Sequence, residues 1–189
     1  MHRKEIYEWV KQNQARSRLL LKAGLPNTAR QLGRQTGLGQ KRLSCLLSSF
    51  AVKQLCVCIN PEARNSRLYK LTRLGKELQE MLTCELNLPK PAQTDYNIDW
   101  QLYGRLCYRH RSLVLINLTE PLQPAQIKRK IRFRNKSAKI SANNIRDIIR
   151  LFEKEGIVKK VFLRKKAHPK YELTDSGKIF RELLIKANQ

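Results

Sequence analysis

The residues best suited to chemistry in this chain are two clusters of lysine and arginine. Such side chains neutralise phosphates, and phosphate contacts supply much of a protein's affinity for nucleic acid. The pattern therefore predicts two surface elements that contact a duplex backbone, the alternative being a merely solvated charged surface. The first cluster comprises Lys128, Arg129, Lys130, Arg132, Arg134, Lys136 and Lys139, and the second comprises Arg164, Lys165 and Lys166.

A helix predicted from residue 142 onward carries polar residues that could read bases. Asparagine can form two hydrogen bonds with adenine and arginine two with guanine, so this face favours sequence recognition. The alternative is that they are ordinary solvent-facing residues, which every surface helix has. The outward residues are Asn143, Asn144, Arg146, Asp147 and Arg150, and all except Asp147 are candidate DNA contacts.

An earlier stretch offers a similar polar face. It belongs to a helix with the sequence QKRLSCLLSSF, whose inward residues would be Leu43, Leu46, Leu47 and Phe50. Two further arginines between the following strands complete the prediction for this half of the chain. The candidate DNA contacts here are Gln40, Lys41, Arg42, Ser44, Arg64 and Arg67.

The elements that must position the later residues lie within residues 141–174. Ser141 can accept a hydrogen bond from an amide at the start of a helix, and Gly156 can end that helix in a left-handed conformation. Strand-like runs at 157–163 and 170–173 flank the second basic cluster, and Thr174 caps another helix. The buried stripe has helical spacing and consists of Ala142, Ile145, Ile148, Ile149 and Phe152.

The first half of the chain predicts the same order of elements. A helix over residues 3–23 precedes a short helix that Thr28 caps, and a third helix begins at Gln40. Strand-like runs at 55–59 and 68–71 follow, and a closing helix comes after them. In the second half, a helix near 99–118 and the helix PAQIKRKI correspond to the first two.

The two halves form an internal repeat. From the third helix onward they align without a gap at a shift of 102 residues, over about forty residues, ending in a shared Y-x-L-T-x-x-G-K. The second copy is longer before its third helix by about seven residues, within RFRNKSAKIS. Matched pairs include Leu43 with Ile145, Phe50 with Phe152, Thr72 with Thr174, and Gly75 with Gly177.

The repeat predicts two domains, residues 1–88 and 98–189, joined by a linker at 89–97 that is rich in proline. The first domain carries 16 bases and 6 acids, and the second carries 22 bases and 8 acids, so both are basic. The fold class expected is mainly α with small β-hairpins (α+β), arranged as two tandem winged helix-turn-helix domains.

Each half resembles the winged-helix transcription regulators of the MarR and ArsR type. The resemblance rests on TARQLGRQTGLGQKRLSCLL, on LFEKEGIVKK, and on YKLTRLGKEL with its counterpart YELTDSGKIF. It implies a third helix inserted in the major groove and a wing on the backbone or minor groove. The chain departs from those families in being tandem, in its net charge of +24, and in the extension before the second recognition helix.

Other chemistries find little support in the sequence. The five cysteines have no framework spacing, and His2, His110 and His168 show no zinc-like spacing to them, so we expect no metal site. No catalytic set or cofactor fingerprint stands out, and we expect neither enzyme activity nor a cofactor. No apolar run approaches 18 residues, and the N-terminal residues lack a signal-peptide core, which predicts a cytoplasmic protein without a membrane partner.

The sequence therefore predicts a sequence-specific, double-stranded DNA-binding protein that acts as a transcriptional regulator. One alternative is a replication initiator or a mobile-element or phage accessory factor. An alternative of another class is a winged-helix adaptor that binds proteins. RNA is a less favoured partner, suggested by the arginine-rich RFRNKSAK. A monomer or a homodimer is expected, nucleoid-associated if the source is prokaryotic.

Overall fold

The computed structural model describes residues 2–89, 98–162 and 168–188. This part of the chain is mainly helical, with small antiparallel sheets. The contacts divide the chain into two compact units, Met1–Gly104 with Ala187–Gln189, and Arg105–Lys186. Apart from Pro89, the predicted linker lies outside the described residues.

Residues 2–89 of the first unit contain five helices and a small three-stranded sheet. The strand order is β1-β3-β2, with Asn27 opposite Tyr69 and Cys56 opposite Leu71. Along the chain the elements are α1 (Arg3–Lys11), α2 (Gln14–Lys22), β1 (Asn27–Thr28), α3 (Ala29–Thr36), α4 (Gln40–Val52), β2 (Cys56–Cys58), β3 (Leu68–Leu71) and α5 (Arg73–Glu85).

The rest of the chain repeats this order with a shorter sheet. Strands β4 and β5 pair antiparallel, with Val158 opposite Leu173, and Leu122 forms an isolated bridge with Tyr171. The elements are α6 (Trp100–Leu106), α7 (Arg109–Asn117), α8 (Pro124–Arg134), α9 (Ala142–Lys154), β4 (Val158–Val161), β5 (Lys170–Leu173) and α10 (Asp175–Asn188).

The single helices predicted over 3–23 and 99–118 are wrong, since each is two helices. Asn13 interrupts the first, and its side chain accepts hydrogen bonds from the amides of Ala15 (2.9 Å) and Arg16 (3.3 Å), which caps α2. The second breaks before α7, whose N-cap Tyr108 has an extended backbone. Polar residues occupy both breaks, KQNQ at 11–14 and RHRS at 109–112, and such runs also fit the exposed face of an unbroken helix, so they did not reveal the breaks.

The structural repeat reaches further toward the N-terminus than the sequence alignment did. Helices α7 and α8 begin 95 residues after α2 and α3, whereas α9 begins 102 residues after α4. The bridge between Asn27 and Tyr69 recurs between Leu122 and Tyr171. The seven-residue difference between the two shifts is therefore the predicted extension, which lengthens α8 and the turn after it.

The predicted core positions of the third helices are confirmed. Leu43, Leu47 and Phe50 are buried on α4, with Leu46 partly buried against the same cluster. On α9, Ala142 is partly buried. Four further residues of its stripe are fully buried, namely Ile145, Ile148, Ile149 and Phe152. A continuous inward stripe fixes which residues of each helix remain on its outer face.

The shared Y-x-L-T-x-x-G-K ending closes each unit in the same way. The Thr72 hydroxyl accepts from the amide of Gly75 (3.1 Å), while the Thr72 amide donates to the Leu55 carbonyl (3.0 Å). A Cβ on Gly75 would lie only 2.1 Å from that same carbonyl oxygen. Glycine is required here because the helix start packs directly on the backbone that precedes the first hairpin strand.

The second unit repeats this contact. Thr174 accepts from the Gly177 amide (3.1 Å) and its own amide donates to the Ile157 carbonyl (3.0 Å). A Cβ on Gly177 would lie 2.2 Å from the Ile157 oxygen. The repeated sequence motif therefore encodes a backbone contact between the residue that precedes the hairpin and the start of the closing helix.

We expect Gly75→Ala to lower the free energy of unfolding by about 3 kcal/mol or more, because the new methyl group must displace backbone rather than a flexible side chain. Gly39→Ala is the matched control: a Cβ there would have no atom within 4 Å, and the φ of Gly39 is −64°. Only an N-cap preference is lost there, at most about 1 kcal/mol. Urea denaturation followed by circular dichroism measures both, and equal losses would contradict the packing explanation.

Candidate nucleic-acid interface

Helices α3 and α4 meet at a tight turn. Gly37 ends α3 in the left-handed conformation (φ 70°), and Gly39 is the N-cap of α4. A Cβ on Gly33 would approach the Leu38 carbonyl oxygen to 3.2 Å, so the two helices are closely joined. The buried side chains of Leu32 and Leu43 fix the pair to the core, which holds the outer face of α4 in place.

The candidate contacts on α4 lie on its exposed face, as the helical pattern predicts. These side chains form no ion pair with other described residues. They are therefore available to water or to an external ligand. The residues are Gln40, Lys41, Arg42 and Ser44.

On α9 three candidates share an exposed face. Arg146 donates a hydrogen bond to the side-chain oxygen of Asn143 (2.9 Å). Arg150 pairs with Asp147 at 3.4 Å, and both side chains are more than two-thirds exposed. Exposed pairs of this kind contribute little to stability, so the guanidinium groups can exchange partners at low cost.

Asn144 does not lie on that outer face, contrary to the sequence prediction. It is partly buried, and its side-chain amide lies 3.0 Å from Nδ1 of His110. The physical reason is the helix break before α7: the first turn of α7 lies against this side of α9. Asn144 would have to leave His110 before it could pair with a base.

The same side of α9 borders a cavity of about 470 Å³ within the second unit. Arg111 lies over the Tyr108 ring at 5.1 Å and donates to the Arg105 carbonyl. Sequence reasoning missed this region because it predicted an unbroken helix. The polar triplet Arg109-His110-Arg111 was the sequence feature that could have indicated the break. The lining residues are Tyr108, Arg109, His110, Arg111, Asn144, Asp147, Ile148 and Leu151.

The first predicted basic cluster lies on α8 and on the turn that follows it. Between residues 124 and 140 there are seven cations and no acidic residue. Lys130 pairs with Glu120 (2.9 Å) and donates to the Thr119 hydroxyl. Within the described part of the chain the remaining six form no ion pair, and all but the partly buried Lys128 are exposed. Those six are Lys128, Arg129, Arg132, Arg134, Lys136 and Lys139.

Of the two groups of basic residues predicted in the hairpin loops, the structure describes one. Arg64 and Arg67 are exposed in the loop between β2 and β3, where Arg67 donates to the Ala63 carbonyl at 3.1 Å. Arg164, Lys165 and Lys166 lie outside the described residues.

Acidic residues of the first unit are segregated from its α2–α4 region. No Asp or Glu occurs between Glu8 and Glu62, a stretch that contains nine lysines and arginines. Three of the remaining acids lie on α5, and two of them form ion pairs with α1: Glu77 with Arg3 (3.3 Å) and Glu85 with Lys11. Hydrogen bonds from Lys11 and Tyr7 lower the pKa of Glu85. The α2–α4 face is consequently positive without internal compensation.

The described residues contain no group of three or more His, Cys, Asp or Glu side chains that could hold a metal ion. Among them, no helix is both long enough and apolar enough to cross a bilayer.

Comparison with protein-family models, with curated proteins and with solved structures gave no match to this chain.

We expect thiol reagents to modify the exposed Cys45 and Cys84 rapidly in the folded protein and Cys56 last. Burial, and to a lesser extent the neighbouring Cys58, raises the pKa of Cys56 to about 11, so little thiolate exists at pH 8. Its Sγ also lies 3.6 Å from the Leu47 carbonyl oxygen. Peptide mass spectrometry after timed labelling measures the order, with urea-unfolded protein as the control. Labelling of Cys56 as fast as Cys45 would contradict the buried placement.

Proposed function

We propose that this chain is a sequence-specific duplex DNA-binding protein that acts as a transcriptional regulator. Its two units would be tandem winged helix-turn-helix domains, with α4 and α9 as recognition helices and the β2–β3 and β4–β5 hairpins as wings. The repeated order of helices and hairpin supports this assignment. So does the polar outer face that each third helix leaves above its buried stripe.

One observation carries the proposal: the α8 region combines seven cations with no acid and a single ion pair among the described residues. A positive surface without local compensation repels itself, and a polyanion relieves that repulsion. The cations border the turn into α9, the position from which side chains reach the phosphates beside a recognition helix. The acid-free stretch of the first unit supplies the corresponding charge there.

The proposed mechanism has two steps. Exposed lysines and arginines first capture phosphates and release counterions, which brings the third helices to the major groove. Arg146 and Asn143 on α9, with Gln40 and Arg42 on α4, then test base edges. Because two units share one polypeptide, binding of either raises the effective concentration of the other.

Replacing phosphate-contacting cations should reduce both affinity and its salt dependence. For Arg132→Ala/Lys136→Ala we expect the slope of log affinity against log salt to fall by about 2, one unit for each lost phosphate contact. Lys4→Ala/Lys76→Ala is the matched control, since it removes two exposed cations of α1 and α5 that form no ion pair with other described residues. It lowers the net charge by the same amount as the first pair of substitutions. Fluorescence anisotropy with a duplex of about 25 base pairs between about 50 and 200 mM salt measures both slopes. An equal fall of the slope in the control variant would show that net charge alone, and not the position of the cations, determines the salt dependence.

Selection of bound sequences from a random duplex library should distinguish the residues of α9 that contact bases from those that only stabilise the fold. We expect Arg146→Ala to relax preference at one position, costing about 1–3 kcal/mol for the preferred base. Asn144→Ala should leave the selected sequence unchanged, because that side chain is held by His110. Loss of preference in the Asn144 variant but not in the Arg146 variant would reverse these assignments.

A further inference from the structure

Phe133 is the most exposed of the large apolar side chains in the described residues, with 87% of its surface open to solvent. Its exposure follows from the phase of α8. The core-facing residues are Ile127 and Ile131, one turn apart and both fully buried. Phe133 is two residues beyond Ile131, which places it about 200° around the helix from the buried side.

The segment that carries Phe133 is firmly anchored. Ile131 precedes it, and Ala138 and Ile140 follow it, all three buried. The Asn135 amide continues the helical hydrogen bonding to the Ile131 carbonyl (2.9 Å), and the Ala138 amide donates to the Asn135 carbonyl (3.0 Å). The ring therefore cannot turn into the core without dismantling both attachments.

The surroundings of Phe133 define what it could bind. Arg132 and Arg134 flank it, and Arg129 lies one helical turn earlier on the same face, all exposed. None of these arginines has an ion-pair partner among the described residues. A protein partner would need carboxylates placed for these guanidinium groups as well as an apolar surface for the ring. Nucleic acid supplies phosphates for the guanidinium groups and a flat aromatic base for the ring.

A second exposed phenylalanine, Phe162, follows β4 in the same unit, with 62% of its surface open. The residue at its repeat position is Asn60, which is buried and accepts a hydrogen bond from the Leu68 amide (2.6 Å). Phe133 itself lies in the extension and has no counterpart in the first unit. Among the described residues, the exposed phenylalanines are thus confined to the more basic copy.

We propose that the second unit binds an unstacked nucleobase through Phe133, at a kinked or locally opened step of duplex DNA. This inference rests on the proposed function and specifies its substrate. The Phe133 ring has no hydrogen-bonding groups, so its favourable contact with a base is stacking on the face of that base. Inside an intact duplex that face is already covered by the neighbouring bases. A step whose bases are partly separated offers that face together with the flanking phosphates.

The test compares two duplexes of equal length with the full chain, one fully paired and one carrying a single-nucleotide bulge labelled with 2-aminopurine. We expect the wild-type protein to bind the bulged duplex about tenfold more tightly and to quench the 2-aminopurine fluorescence by stacking. Phe133→Ala should lose both effects while keeping its affinity for the paired duplex within about threefold. Phe133→Trp should retain both.

Leu86→Ala is the matched control, since Leu86 is an exposed apolar residue (49%) at the C-cap of α5, away from the proposed recognition helices. It should behave as the wild type on both duplexes. The inference is overturned if the wild type shows no preference for the bulge, if Phe133→Ala keeps it, or if that variant weakens both duplexes equally. Failure of the proposed function gives another result: the wild type would not bind the paired duplex at low salt.

Discussion

The contact on which each unit depends is the one between the closing helix and the backbone before the hairpin. In the first unit the Leu55 carbonyl accepts from Thr72 and lies where a Cβ of Gly75 would otherwise be; in the second, Ile157 takes the same role. This contact fixes the third helix, the first hairpin strand and the closing helix relative to one another. Leu55 and Ile157 also donate to the carbonyls of Phe50 and Phe152 (2.8 Å each), so the same residue connects the third helix with the closing helix in each unit.

Acidic and basic residues are separated on the two units. In the first unit acidic residues on α5 pair with Arg3 and Lys11 of α1, whereas α2–α4 contain no acids. In the second unit the α8 region is similarly free of acids, and six of its seven cations are unpaired among the described residues. The partition costs electrostatic repulsion in the free protein. The proposed polyanionic ligand would relieve that repulsion.

The sequence predicted the elements whose local signals agree with their packing. The third helices, β3 and the threonine caps were found because apolar spacing, cap residue and repeat all indicate the same boundaries. The breaks at Asn13 and Tyr108 were missed because the polar residues there also fit the exposed face of a continuous helix, and only a capping side chain or a turn ends the helix. The placement of Asn144 beside His110 was missed for the same reason, since the partner lies on a helix whose start was not predicted.

The repeat also explains why the two units need not contribute equally. The first unit ends α3 with a left-handed glycine and turns at once into α4, while the second lengthens α8 and adds cations and an exposed phenylalanine before α9. In the proposed function the first unit would contact bases through α4. The second would add most of the phosphate contacts and the preference for distorted DNA.

Lysine-reactivity mapping of the full chain, with and without a duplex at low salt, is the sharpest test of DNA binding through the acid-free faces. Acetylation followed by peptide mass spectrometry reports each lysine separately. We expect duplex DNA to protect Lys41, Lys128, Lys136 and Lys139, and to leave Lys4 and Lys76 as reactive as in the free protein. Protection of Lys4 and Lys76 with no change at the α8 lysines would place the ligand on the other set of helices and contradict DNA binding through these faces.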